Sequence, residues 1–158
     1  MIRDLSAWIE QHAVSSPDRV AIRFEGTEIS YRALHVRIQK TAGLLHNTHG
    51  VRLGDRVAYL GFNTPECVIV FFACARLGAI YLPLNWRLAL PELDHVLGHA
   101  EPKVLITDSP HRESAVRLVN GRSGCALIDH ANVVPVSEDS DTTLAESNFG
   151  GDPDVPLL

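Results

Sequence analysis

The chain lacks a long apolar run. Its longest uninterrupted stretch, Cys67 to Ala75, is closed by Glu66 and Arg76, and falls well short of the roughly 20 residues that a membrane-spanning helix needs. A basic excess is missing too: 14 Lys and Arg stand against 19 Asp and Glu. The arginines are scattered singly, so no face carries the positive field that a nucleic-acid partner requires. Only three cysteines occur, Cys67, Cys74 and Cys125, with no CxxC pair. Cys67 and Cys74 share one face of an apolar helical stretch, too widely spaced for a disulfide, so buried reduced thiols are expected. The phosphate-loop patterns GxGxxG and GxxxxGK[ST] and the GxSxG elbow are all absent. The start, Met1-Ile2-Arg3-Asp4-Leu5, turns polar too soon for a secretory signal, and Asp4 and Glu10 argue against a transit peptide. A cytoplasmic protein is expected.

What is present is an apolar content of 46% in 158 residues, enough to bury a core and too much for disorder. The net charge of −5 is confined to the end. Residues 137–158 hold Glu138, Asp139, Asp141, Glu146, Asp152 and Asp154 and no base. Two regions are therefore expected: an α/β unit over 1–130 and an acidic, irregular segment over 131–158.

Hydrophobic periodicity orders the first region. Leu5, Trp8, Ile9 and Ala13 predict an amphipathic helix capped by Asp4. Alternation over Arg19 to Phe24, with a turn at Glu25-Gly26-Thr27, predicts a hairpin ending near Ile29. Ser30 is the expected cap of a helix with Leu34, Ile38, Thr41 and Leu45 inward. Strands are expected at Arg56–Leu60, Ala79–Leu82 (short and buried), Lys103–Thr107 and Cys125–Asp129. Helices follow them at Glu66–Leu77, behind Thr64 and Pro65, then from Pro91, and over Pro110–Val119. This alternation predicts a three-layer α/β fold, its mainly parallel sheet flanked by helices after an N-terminal hairpin.

Chemistry is sparse. His95 and His99, beside Asp94, lie four apart on one helix face, and His46 and His49 lie three apart. Neither pair has an evident further ligand, so surface histidines are expected and no metal residue is assigned. No set of Ser, His and Asp is singled out as catalytic.

Several stretches taken together are more informative. They are Pro17-Asp18-Arg19-Val20-Ala21-Ile22, Ile29-Ser30-Tyr31-Arg32-Ala33-Leu34 and Gly50-Val51-Arg52-Leu53-Gly54-Asp55-Arg56-Val57-Ala58. Asn63-Thr64-Pro65-Glu66 and Leu77-Gly78-Ala79-Ile80-Tyr81-Leu82-Pro83-Leu84-Asn85-Trp86-Arg87-Leu88 follow in register. In this order they resemble the start of AMP-forming acyl-CoA synthetases, closely over residues 5–108 and loosely over 109–158. That adenylate-forming superfamily also contains amino-acid adenylation domains of peptide synthetases. One departure is Ala33, where relatives often carry a Glu that completes a capping box with Ser30.

The resemblance implies a ligase that uses ATP and Mg to turn a carboxylic acid into an acyl-adenylate, then passes the acyl group to CoA. Pro83-Leu84-Asn85 favours a carboxylate–CoA ligase over an amino-acid adenylation domain, where Asp is common. Arg87 matches a position that contacts CoA phosphates in some relatives; a plain surface or helix-capping role is the competing reading. The sequence reaches Asp154-Val155-Pro156-Leu157-Leu158 where relatives run into a strand and a Ser/Thr/Gly-rich loop ending in Pro-Lys-Gly. No catalytic residue is therefore assigned, and these residues alone are expected to be inactive. Other expectations are a binding or interaction module that self-associates through an exposed sheet edge, or a free-standing CoA-binding domain.

Overall fold

The computed structural model of the chain describes residues 5–134. Among the described residues helix α1 (Ser6–Ser15) shows no side-chain cap; Asp4, expected there, lies outside them. Its inward ridge is Ser6 and Ile9, flanked by half-buried Ala13. That spacing of i, i+3, i+7 leaves Trp8 beside the ridge rather than in it, 49% exposed.

Strands β1 (Val20–Phe24) and β2 (Thr27–Ser30) pair antiparallel. Glu25 and Gly26 have φ of 47° and 80°, the primed turn whose twist matches the strands it joins. The alternation expected along β1 is broken. A register shift between Val20 and Ile22 turns both Ala21 and Ile22 onto the core and leaves Val20 outside.

Helix α2 (Tyr31–Asn47) begins where expected. Ser30 Oγ accepts from the Ala33 amide at 3.2 Å, and Leu34, Ile38, Thr41 and Leu45 are buried. His35, half-buried on the same helix, has its pKa held below the usual 6.5 by burial; Glu10 pulls it up and Arg76 pushes it down. A lowered folded pKa means that the unfolded chain takes up the proton first as pH falls. Stability is therefore expected to decline as pH drops below 6.5, and His35→Gln to flatten that decline in urea titrations at pH 7 and pH 5.

The remaining elements alternate: β3 (Arg56–Leu60), α3 (Pro65–Leu77), β4 (Ile80–Leu84), α4 (Leu90–Ala100), β5 (Val104–Thr107), α5 (Arg112–Val119), β6 (Ala126–Asp129) and α6 (His130–Val133). The strands form one parallel sheet in the order β4-β3-β5-β6. Side chains alternate across it. Val57, Tyr59, Val104 and Ile106 pack with α1, α2, α3 and α6, while Ala58, Leu60 and Leu105 pack with α4 and α5. The architecture is three-layered, as the pattern of alternating strands and helices predicts. Because β4 and β5 lie on opposite sides of β3, crossovers of constant hand place α3 and α4 on opposite faces.

Strand β4 differs from expectation. It runs two residues further and, among the described strands, is an edge rather than a buried strand: Ile80 is 51% exposed. Pro83 fits there because an edge strand has an amide to spare. Helix α3 is buried or half-buried at every residue, packed between α2, α1 and β4. Thr64 stands at its N-cap, yet its side chain makes no capping bond. Gly78 closes α3 with φ of 64°, and a Cβ there would strike Leu53 Cδ1. The single-turn α6 is too short for any periodicity to announce it. It is tied down by Thr41 Oγ1, which donates to the Val133 carbonyl at 3.0 Å, and by Asp129, which caps it through the Ala131 amide. The acidic segment falls outside the described residues apart from its first four positions. Among the described residues no helix is long and apolar enough to cross a membrane.

Candidate functional site

In a parallel sheet the loops at the carboxyl ends carry the chemistry, above all where the strand order reverses. Here that point lies between β3 and β5, since the chain leaves β3 for α3 on one face and β5 for α5 on the other. Three loops meet beside it: Gly61–Thr64 after β3, Asn85–Ala89 after β4, and Asp108 with the 3₁₀ turn Ser109–His111 after β5.

Asp108 is the anchor of this junction. It is 3% exposed, and its carboxylate accepts from the Phe62 amide at 2.8 Å, the His111 amide at 3.1 Å and His111 Nδ1 at 2.5 Å. A buried carboxylate is tolerated because donors from two loops satisfy it. Gly61 is what lets the β3 loop come so close. A Cβ there would stand 2.9 Å from Asp108 Cγ and Oδ2 and 3.1 Å from the Tyr59 ring.

Above the carboxylate sit three rings. Phe62 meets His111 edge-on at 4.8 Å and Trp86 at 5.0 Å, and Trp86 lies 5.5 Å from His111. Such edge-to-face contacts are the favoured aromatic geometry. The Arg87 guanidinium rests over Trp86, 4.3 Å from the ring centroid. Its backbone amide donates to Asn85 Oδ1 at 3.1 Å, and the Leu88 amide donates to the Asn85 carbonyl at 3.1 Å. Asn85 is thus a turn-maker that folds the loop back on itself. Among the described residues no carboxylate pairs with Arg87, whereas Arg112 faces Asp129 at 3.5 Å and Arg122 is held by Asp94.

Beneath the rings the chemistry is muted. Tyr59 Oη lies 3.2 Å from His130 Nδ1, and burial pushes the Tyr59 and Tyr81 hydroxyls well above the usual tyrosine range. Cys67 Sγ donates to the Thr64 carbonyl at 3.0 Å. Burial raises the pKa of all three thiols, that of Cys74 to about 12, which leaves them as thiols rather than nucleophiles. Among the described residues no three His, Cys, Asp or Glu side chains come together as a metal site.

A concavity lies at the opposite, amino end of the sheet. It is a shallow cleft of about 360 Å³ lined by Thr48, His49, Lys103, Gly124, Cys125 and Ala126. Its one lysine is already committed, donating to the Gly50 carbonyl at 2.7 Å and to Asp55 at 3.0 Å.

Of the residues that sequence reasoning nominates, Arg87 alone belongs to the carboxyl-edge cluster as a candidate ligand contact. Sequence reasoning does not single out Asp108, His111 or Phe62. Their one signal is local: an Asp directly after an apolar strand, three before a His, as for a turn cap.

A family model described as AMP-binding enzyme matches residues 9–155. The chain is 43% identical over 118 residues to a feruloyl-CoA synthase of an Amycolatopsis species, covering 75% of this chain and 24% of that protein. It is 45% identical over 105 residues to an indoleacetate–CoA ligase of Aromatoleum aromaticum, covering 66% and 20%. Among solved structures, a putative long-chain-fatty-acid CoA ligase from Rhodopseudomonas palustris superposes with a TM-score of 0.75 at 28% identity, over 85% of this chain and 37% of that one. An o-succinylbenzoate CoA synthetase from Bacillus subtilis, bound to its acyl-adenylate intermediate, gives 0.72 at 27% identity, over 82% and 33%. The chain thus spans about a quarter of the length of the curated relatives it matches.

Proposed function

The chain belongs to the AMP-binding enzyme family, and from that premise we propose that it is the leading α/β part of a carboxylate–CoA ligase. In that reading the carboxylate attacks the α-phosphate of ATP and displaces pyrophosphate to give the acyl-adenylate. The CoA thiol then displaces AMP to give the thioester; Mg would offset the phosphate charge. This part contributes the surface at the carboxyl edge of the β4-β3-β5-β6 sheet, and Arg87 there contacts a phosphate of the CoA nucleotide. The observation that carries the assignment is Arg87 itself: a guanidinium with no carboxylate partner among the described residues, held over Trp86 beside the point where the strand order reverses. A planar fork with free N–H edges suits a phosphate in chemistry and shape. The acid is not specified by these residues.

Adenylate formation needs donors placed where charge develops as the carboxylate attacks the α-phosphate. These 158 residues contain no glycine-rich phosphate loop, so we propose that they do not form an adenylate by themselves. Pyrophosphate exchange with ATP and varied carboxylic acids is expected to give no turnover; robust exchange would remove this part of the reading. Adenosine 3′,5′-bisphosphate, the nucleotide of CoA, is expected to bind, and Arg87→Ala to weaken it about tenfold, as loss of a charge-assisted contact does. Calorimetry measures both, and equal affinity in the variant would sink the assignment of Arg87.

A further inference from the structure

We propose that Trp86 is the positioning residue for Arg87, and that Phe62 with the Asp108–His111 pair holds Trp86 in place. The proposal rests on the reading of Arg87 as an anion contact. An exposed arginine on a loop samples many rotamers, and an incoming anion must first freeze one of them. The indole face removes part of that freedom in advance: the guanidinium already sits 4.3 Å from the Trp86 centroid, attracted by the ring's negative face. Asn85 sets the backbone under it through the bond to the Arg87 amide.

Trp86 would be a poor platform if it moved. Its two other ring contacts come from different loops, Phe62 after β3 and His111 after β5. Both of those rings trace back to one buried carboxylate, for Asp108 accepts from the Phe62 amide and from the His111 amide and Nδ1. A line of direct contacts therefore runs from a side chain that is 3% exposed to the exposed cation, and all three carboxyl-edge loops contribute to it. The arrangement holds the guanidinium carbon over the ring, and among the described residues no carboxylate pairs with its N–H groups.

The test reads Arg87 directly, in the chain as it stands. In the unaltered chain the Arg87 side chain is expected to show upfield ring-current shifts and a restricted Nε–Hε heteronuclear NOE. Random-coil values for both would overturn the proposal with no variant needed. Trp86→Leu and Trp86→Met are expected to release the side chain, and Trp86→Phe, which keeps a ring face, to restore the restriction. A restricted Arg87 in the Leu or Met variant, with amide spectra showing the fold intact, would also overturn it. In calorimetry with adenosine 3′,5′-bisphosphate, Trp86→Leu is expected to bind roughly three- to fivefold more weakly and Trp86→Phe about as well as the unaltered chain. Absence of any bisphosphate binding by the unaltered chain would count against the CoA reading of Arg87, while the NMR measurements would still decide whether Trp86 positions it.

Discussion

Leu105→Ala and Ile106→Ala are each expected to cost about 3 kcal/mol, within the range for truncating a fully buried aliphatic side chain. Both residues are 0% exposed and stand next to each other on β5. They look in opposite directions: Leu105 packs with Leu93, Leu97, Ala115 and Leu118 of α4 and α5, and Ile106 packs in the cluster with Ile69 and Val70 of α3 and Leu34 and Ile38 of α2. Sharing no packing partners, the two losses are expected to add closely despite their sequence proximity. The double variant then loses about 6 kcal/mol, comparable to the whole stability of many domains, and is expected to be largely unfolded. Urea titration of each single variant, with an unchanged denaturant slope, measures the costs. A cheap loss at either position would mean that one helical layer is not packed on the sheet.

Asp108→Ala is expected to be nearly as damaging, at about 3 kcal/mol. The carboxylate satisfies two backbone amides and an imidazole at 2.5–3.1 Å, and alanine would leave those donors facing a void in a site almost closed to water. The asymmetry of hydrogen bonding sets the size, because stranded buried donors lose their partners without regaining solvent. Asp108→Asn keeps one acceptor oxygen and is expected to cost about half as much. Faster hydrogen exchange at the Phe62 and His111 amides is the local signature, read alongside the urea midpoint. Unchanged exchange at both amides in Asp108→Ala would show that the junction is held by the rings alone.

Much of the scaffold was legible because its signals are local. Ser30 caps α2 through its own hydroxyl, Pro65 opens α3 where no amide is needed, and Gly78 closes α3 in a left-handed conformation. The alternation of strand and helix after Arg56 implies parallel pairing without any knowledge of distant contacts. Other features depend on partners that no window of sequence contains. The edge position of β4, the outward turn of Trp8 and the slipped register of β1 follow from which neighbours each element has. The candidate site divides in the same way. Arg87 was recognisable through a family resemblance, whereas Asp108, Phe62 and His111 are up to 49 positions apart in sequence and become one object only when β3 and β5 pair.

The sequence by itself determined the longer elements, the family and the limits. It holds no long apolar run, no basic excess and no phosphate-loop motif, and those absences belong to the chain itself, which folding cannot alter. Only the tertiary structure decided the strand order β4-β3-β5-β6, and with it the reversal point at which three loops converge. The physical reason is one of range. Caps, turns and periodicity act within a few residues, but a buried carboxylate is tolerated only when donors from distant segments close around it. Asp108 meets that condition, and Arg87 rests on the rings above it.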